Sequence, residues 1–406
     1  MNRSFRRNFY ILIMDAAAYA IFCAIWDVNT VIPLFLDQIG SPYWLIGATN
    51  SLKQLGYLVP QLIIVAQLYR VKRLSRFIRA IMLVDRPQLF FVPLFLLLLT
   101  DNTALLIIFF ISFAVLCFGE GTILIPWMDL MGRSLESGTR GRFWGTIQVT
   151  GGLAAMGTGF IISRTLDNPH LPYPYNFVII FGIGAVTLLP SVILFKMVED
   201  PVVPAAIIPP GWVSSVLKCL DNKQFALLIA VQHLAGYDSL AIPYYIVMVR
   251  HKFPWPAPSA GTYVLLSIFG GVLGGVLWGI LSGKRSNYRT IKVIAFFKVL
   301  TSAIFLTTQL VESKMALAAL LGTGFVLVGV VTAAWVGFVN YILNIATHSE
   351  RPFFIAISNA VLLPVAFLPI LGGFIREYSG DTTLFIVTTV FTAFAFIISL
   401  QMRDRA

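Results

Sequence analysis

Charge is what this chain has least of. Of its 406 residues only 12% are Asp, Glu, Lys or Arg, while 58% are hydrophobic and 14% aromatic. Soluble domains carry about 25% charged residues. The chain therefore cannot clothe a water-facing surface, and lipid must be the solvent for most of it. Cysteine is scarce as well. Cys23, Cys117 and Cys219 are odd in number and widely spaced, which excludes a disulfide framework and a cysteine-based metal site. No HExxH pair, GxSxG elbow or Walker loop occurs, so nothing points to an enzyme, a cofactor or a metal. The net charge of +11 would suit nucleic acid, but the basic residues share no face. They recur in short clusters between apolar runs, a pattern of membrane topology that excludes a nucleic-acid partner.

What is present is a series of apolar runs. Arg3, Arg6 and Arg7 precede the first, which continues to about residue 36. That is too long for the short apolar region of a cleavable signal, so it is read as a retained span. A membrane helix needs about 20 mostly apolar residues. By that criterion spans 1 to 12 run over 10–36, 43–69, 77–99, 104–128, 142–165, 175–197, 223–249, 260–282, 290–311, 315–343, 353–376 and 382–402. An even number of spans puts both termini on one side. Of the 29 Lys and Arg residues, 21 fall in segments on that side and 5 on the other, with Lys53, Arg86 and Lys298 inside spans. The positive-inside rule then predicts a multi-pass plasma (cytoplasmic, in a bacterium inner) membrane protein with cytoplasmic N- and C-termini.

Residues 198–222 hold several prolines and end in a polar stretch. They read as a cytoplasmic linker between a six-helix bundle at 1–197 and another at 223–406. The two halves repeat. Asp27/Asp238, Asp129/Asn340, Arg140/Arg351 and Phe143/Phe354 share one offset of 211 residues. Polar matches at one offset are harder to obtain by chance than apolar ones, and transporter halves are commonly parallel repeats. The expected fold class is an all-α integral membrane protein of twelve transmembrane helices in two pseudo-symmetric six-helix bundles.

This arrangement resembles the major facilitator superfamily of transporters along essentially the whole chain. The family signature between spans 8 and 9 runs roughly Gly-x-Leu-x-Asp-Arg/Lys-x-Gly-Arg-Arg. Here Gly279-Ile-Leu281-Ser-Gly283-Lys284-Arg285-Ser286 keeps the glycine, leucine and cation but has Gly283 in the aspartate place. The first copy, QLYRVKRLSR at 67–76, keeps only the basic character. Arg140-Gly141-Arg142 looks like the Arg-Gly-Arg of sugar porters, but Arg133 stands where they carry glutamate. Span 5, VTGGLAAMGTGF at 149–160, lacks the proline of the antiporter signature. No subfamily is assigned. The resemblance implies that spans 1, 4, 7 and 10 line a central cavity and that spans 5 and 8 meet across the halves. Gly151, Ala155 and Gly159 on span 5, and Gly271, Gly275, Gly279 and Gly283 on span 8, recur every four residues, where small residues let helices approach closely.

Ionisable groups inside spans are costly and mark function or pairing. Cavity candidates are Asp27, Lys53, Gln54, Glu120, Gln232, His233, Tyr237, Asp238 and Asn340. Asp85, Arg86 and Lys298 form an intramembrane charge group, in which Asp85–Arg86 reads as a structural pair and Lys298 as either functional or a cation snorkelling to the interface. Asp129, Arg140, Arg142 and Arg351 are read as a cytoplasmic gate. The functional expectation is secondary active transport of a small molecule by alternating access, with protons as a candidate coupling ion, by a monomer in the lipid bilayer. The alternatives are a lipid or lipid-linked flippase on the same fold and a membrane sensor that binds without carrying. Substrate and direction stay open.

Overall fold

A computed structural model describes residues 3–68, 71, 73–134, 140–200, 223–252, 260–282, 287–345 and 351–403, and these are helical apart from short turns. Ten helical windows are long and apolar enough to cross a membrane. Two further spans complete the twelve. Tyr43–Leu68 carries Asn50, Lys53, Gln54 and Gln61, whose polarity pulls its hydropathy below that of the others. The window Ile357–Ser399, at 43 residues, holds two spans, because Gly380 adopts φ +80°, a left-handed conformation that glycine takes without a Cβ penalty.

Spans 1 and 7 are both discontinuous, and at repeat-related places. Span 1 is a helix over Arg3–Ile25, an irregular turn containing Asp27, and a second helix over Val31–Gln38. Span 7 is a helix over Lys223–Ala235, a 3-10 turn over Gly236–Leu240 containing Asp238, and a second helix over Ile242–Lys252. Pro33 and Pro243 sit in the first turn of the second helix in each case. There the missing N–H has no intrahelical partner to lose. The other repeat pairs are also equivalent in structure. Arg140 and Arg351 each open a helix, Arg140–Leu166 and Arg351–Val365. Phe143 and Phe354 are each buried three residues later. Phe143 packs edge-on against Phe9 of span 1, and Phe354 packs on Phe225 of span 7 with ring centroids 4.1 Å apart.

The chain divides into two compact units, Met1–Ser41 with Leu52–Ile208, and Pro42–Ser51 with Pro209–Ala406. The expected linker lies largely outside the described residues. The sequence does not anticipate that the first turns of span 2 group with the second unit. Their packing there is close. A methyl group on Gly47 would meet the Pro369 carbonyl and the Tyr244 hydroxyl, and one on Gly373 would meet the Trp44 backbone. Tyr244 donates its hydroxyl hydrogen towards the carbonyls of Pro369, at 2.5 Å, and Tyr43, at 3.1 Å. Arg376 closes the cluster, 4.1 Å from the Tyr43 ring centroid and 2.7 Å from Asp381 across the Gly380 turn.

The glycines of span 8 lie on two neighbouring faces. Gly270 and Gly274 press against Val326 and Val330 of span 10. In the row expected at a seam, Gly275 and Gly279 face open space, Gly271 has its nearest neighbour, the Gly329 carbonyl, at 3.9 Å, and Gly283 lies outside the described residues.

At the end of the first unit that carries the N-terminus, Glu199 and Asp200 tie three spans together. Asn8 donates to the Glu199 carbonyl at 2.8 Å and accepts from its backbone N–H at 3.0 Å, while Arg7 pairs with its carboxylate at 2.7 Å. One Asp200 oxygen accepts from the Ser75 backbone N–H at 2.9 Å and from its hydroxyl at 3.3 Å. It caps the helix Leu74–Asp85 from another element, placing an anion at a helix N-terminus. The second unit uses the same plan. The end of span 12 contacts span 7 through Arg403 N–H to Gln224, at 3.3 Å, and receives Lys292 of span 9 on the Leu400 carbonyl, at 3.2 Å. Asp200→Ala is expected to remove about 1 kcal/mol and lower the melting temperature in detergent, with Asp200→Asn retaining most of it. Equal loss in both variants would refute the capping role.

Candidate functional site

The polar residues of the first unit converge on one pocket. Asp15, Tyr19 and Cys23 recur every four residues along the first helix of span 1, and Asp27 lies beyond its end in the break. Lys53 and Tyr57 are four apart on span 2, and Phe113, Leu116, Cys117 and Glu120 fall at i, i+3, i+4 and i+7 on span 4. Residues at those spacings share a helix face. The pocket has Lys53, Tyr57 and Glu120 as its polar lining, Phe22, Trp26 and Phe113 as aromatic walls, and Cys23, Leu116 and Cys117 between them. Its interior is narrow, with room for little more than one water molecule. Spans 2 and 4 approach closely beside it, since a methyl on Gly56 would meet Cys117 and one on Gly121 would meet the backbone of Gly56 and Tyr57.

Behind Glu120 lies a buried charge group. Arg86 donates from Nη1 to Glu120 Oε1 in a short contact, and the same nitrogen is 3.7 Å from Asp85 Oδ2. All three residues are nearly inaccessible, at 2% for Arg86, 7% for Glu120 and 1% for Asp85. The two carboxylates are not equivalent. Glu120 holds the guanidinium, whereas neither Asp85 oxygen has a hydrogen-bond partner among the described residues. Asp85 packs against Gly119, where a Cβ would collide with its carboxylate. The Tyr19 and Tyr57 hydroxyls bond to each other in a short contact, and Trp127 donates its indole N–H to Asp15 at 3.2 Å.

Lys53 is half-buried, and among the described residues it forms no ion pair. Its charge acts on Asp27, Cys23 and Cys117. Asp27 accepts the Thr30 hydroxyl hydrogen at 2.6 Å in the turn that interrupts span 1. Gln54, next to Lys53, is half-buried and has a polar partner of its own.

The second unit places its candidates differently. Asp238 pairs with Lys298 at 2.8 Å, and Lys298 also donates to the Ala235 carbonyl at 3.0 Å. Lys298 therefore does not snorkel and does not join Asp85 and Arg86. It caps the C-terminal end of the first helix of span 7, where a cation is favoured, and it neutralises the carboxylate in the break. Ser358 donates to Gln232 Oε1 at 2.6 Å, and His233 Nδ1 is 3.2 Å from the Val361 carbonyl. Tyr237 stacks on Phe391 with ring centroids 4.1 Å apart and lies edge-on to His233. These residues are engaged with span 11 or span 12. Asn340 lies in the helix Trp335–Ile345, but its side chain is outside the described residues.

The gate residues are only partly visible. Asp129 is half-buried with a polar partner, and Arg142 is exposed. Arg140 and Arg351 head their helices, with side chains outside the described residues. Segments 135–139 and 346–350, beside them, are outside as well. A cation at a helix N-terminus opposes the helix dipole, so neither arginine is placed there to stabilise its own helix. Tyr57, Cys23, Cys117 and Phe113 were missed as site residues. Each lies on the same helix face as a charged candidate, three, four or seven residues away, and that spacing was the signal that marked them.

The fold has close structural counterparts. A POT family transporter, PepTSo, superposes with a TM-score of 0.74 at 12% identity, covering 99% of this chain and 99% of that one. The nucleoside transporter NupG gives 0.66 at 14% identity, over 97% and 98%. A bacterial homologue of the human lysosomal transporter Spinster gives 0.63 at 13% identity, over 100% and 99%. No protein-family model and no curated protein matches the chain by sequence. At these identities the likeness establishes the major facilitator superfamily fold, and it does so over nearly the whole chain.

The roles assigned to Lys298 and Asp238 are separable by substitution. Lys298→Met leaves the Asp238 carboxylate buried without a partner, and it is expected to destabilise by about 3–5 kcal/mol. Lys298→Met combined with Asp238→Asn is expected to recover a large part of that loss. Thermal unfolding of the three variants measures both, and no recovery in the double variant would show that the pair is not what seals the break.

Proposed function

We propose that this protein is a secondary active transporter that carries a small molecule across the membrane by alternating access, with proton coupling at Arg86, Glu120 and Asp85. The observation that carries the reading is the shared position of Glu120. It lines the pocket of the first unit and, on its other side, holds a buried arginine that has a second, unsatisfied carboxylate 3.7 Å away. The fold supports transport, since its structural counterparts are transporters.

The proposed cycle follows from the two carboxylates competing for one guanidinium. When Glu120 is ionised, Arg86 stays on it. A proton delivered through the pocket onto Glu120 removes the charge that holds Arg86. The guanidinium then moves to Asp85, its neighbour on span 3, whose oxygens are free to accept it, and the tie between spans 3 and 4 is released. Loss of the proton reverses the exchange. Protonation at the pocket is thereby converted into a change in how two spans of one bundle are joined, which is the bistable element a coupled transporter needs. The gate assigned to Asp129, Arg140, Arg142 and Arg351 would respond to that change at the cytoplasmic ends of the spans.

The test is transport in proteoliposomes with an imposed pH gradient, using the substrate found by uptake and efflux screening. Glu120→Gln mimics the protonated acid. It is expected to reduce pH-driven accumulation at least tenfold while exchange of labelled substrate across the membrane persists. Unchanged pH-driven accumulation would exclude Glu120 as the coupling group. Arg140→Lys, which keeps the charge and loses the bidentate fork, is expected to slow transport without changing the amount of folded protein. Wild-type rates in that variant would reduce the gate arginine to a topology determinant.

A further inference from the structure

Away from the span ends, the first unit holds more acids than cations. Its carboxyls there are Asp15, Asp27, Asp85 and Glu120, and its cations among the described residues are Lys53 and Arg86. Lys53 acts on Asp27, and Arg86 is bonded to Glu120. Two carboxyls are left without a cation of their own. Asp85 shares Arg86 at 3.7 Å. Asp15 forms no ion pair among the described residues, although the field of Arg86 reaches it. A buried charge without a full counter-charge is costly, and a carboxyl escapes that cost by taking a proton.

Asp15 is 7% exposed. Its Oδ2 accepts the Trp127 indole N–H at 3.2 Å, and the buried Ser191 hydroxyl of span 6 lies beside it. Both neighbours are neutral. The charged groups that act on it are Arg86 of span 3 and Glu120 of span 4. Three acids thus share one guanidinium, and a proton taken by one changes how readily the others hold theirs. The position of Asp15 gives this coupling a direction. Trp127 lies seven residues, about 10 Å, beyond Glu120 on span 4, towards the end of the unit that carries the N-terminus. Glu120 lines the pocket, whose interior admits a water molecule, and Asp15 stands beyond it on the way to that end. The repeat separates this group from the scaffold. The positions 211 residues after Asp15, Asp85, Arg86 and Glu120 are Ala226, Phe296, Phe297 and Val331. The second bundle is built on the same plan without any of the four.

We infer that Asp15 is a second proton-carrying acid, which takes the proton that Glu120 releases and passes it on towards the N-terminal end of the unit. Its use in transport rests on the proton coupling proposed for Glu120. When Arg86 returns to Glu120, the Glu120 O–H bond breaks, the proton crosses by way of water, and an O–H bond forms on the Asp15 carboxyl. Glu120 is left as the carboxylate that Arg86 holds, and Asp15 is neutral. Asp15 then gives its proton to water at the N-terminal end and returns to a carboxylate that accepts from Trp127. One proton has moved from the pocket to that end, and both acids are as they began.

The first experiment records pH-difference infrared spectra of the full-length chain in lipid, with no substrate present. The expected result is a carbonyl band of a neutral carboxyl that disappears as pH rises and is missing in Asp15→Asn. In Glu120→Gln one competitor for Arg86 is gone, so ionised Asp15 is easier to hold, and its band is expected to disappear at a pH lower by about one unit. No band belonging to Asp15, or a band indifferent to Glu120→Gln, would overturn the inference. The second experiment measures transport in proteoliposomes with an imposed pH gradient. Asp15→Asn keeps an oxygen for Trp127, so a purely structural acceptor predicts wild-type accumulation. The relay predicts at least a tenfold loss of pH-driven accumulation with substrate exchange retained, and recovery in Asp15→Glu, with melting temperatures confirming that both variants fold. Spectra as expected in a chain whose transport ignores the pH gradient would uphold the proton exchange between the two acids and remove the coupling reading. Coupled transport that is lost in Glu120→Gln and intact in Asp15→Asn would do the reverse.

Discussion

A charge inside a hydrocarbon layer must find its partner within the protein, and the arrangement of this molecule follows from how that requirement is met at each site. Arg86 is held by Glu120 and Lys298 by Asp238, and at the turn between spans 11 and 12 Arg376 is held by Asp381. Each pair joins two helical segments, so neutralisation and packing are one event. The pairs at the broken helix of span 7 and at the Gly380 turn do this where the backbone leaves regular geometry. There a cation also answers an exposed carbonyl, as Lys298 does for Ala235, or stacks over an aromatic ring, as Arg376 does on Tyr43. Asp85 meets the requirement least well: it shares Arg86 at 3.7 Å and has no hydrogen bond among the described residues, and the proposed proton coupling is built on that asymmetry with Glu120.

The two halves share a plan and differ in what they do with it. Both have a broken first span with an aspartate in the break, an arginine opening the fifth helix, a buried phenylalanine three residues on, and a tie from the end of the sixth span back to the first and third. In the second half the aspartate of the break is closed off by Lys298. In the first half the corresponding cation is one position displaced, at Arg86, and is bound to Glu120 instead. Asp27 is left to a hydroxyl and to the field of Lys53. The same scaffold thus holds its charges fixed on one side and leaves them exchangeable on the other.

The sequence was informative where a single residue type has one physical meaning. Hydrophobic run length located all twelve spans, including Tyr43–Leu68, whose hydropathy is lowered by the polar residues that make it interesting. The common offset of 211 residues paired the two helix breaks, where proline and aspartate suit an interrupted backbone, and it paired Arg140 with Arg351, each of which turns out to open a helix. Partner choice was not legible. Lys298 read as either a functional charge or an interface cation, since sequence gives its depth but not which helix lies beside it. The glycines that pack on span 10, Gly270 and Gly274, were not legible as such, since six glycines on neighbouring faces do not say which face meets that span. The pocket was half legible: its charged members stood out, whereas Tyr57, Phe113 and Cys117 are ordinary residues of apolar spans until helix geometry puts them beside Lys53 and Glu120.

The turn at Gly380 has a consequence for how the last two spans enter the membrane. Spans 11 and 12 are joined by a short polar turn over 376–383, in which Arg376 and Asp381 are bonded at 2.7 Å and Glu377 adds a further anion. An arginine or an aspartate moved singly into the centre of a bilayer costs about 2.5–3.5 kcal/mol on the insertion scale, and pairing them lowers what must be transferred. The helical stretch of 43 residues around the turn is too long for a single crossing. The left-handed backbone at Gly380 lets its two arms form a hairpin with the ion pair at the tip, so the tip carries one uncancelled negative charge in place of three separate charges.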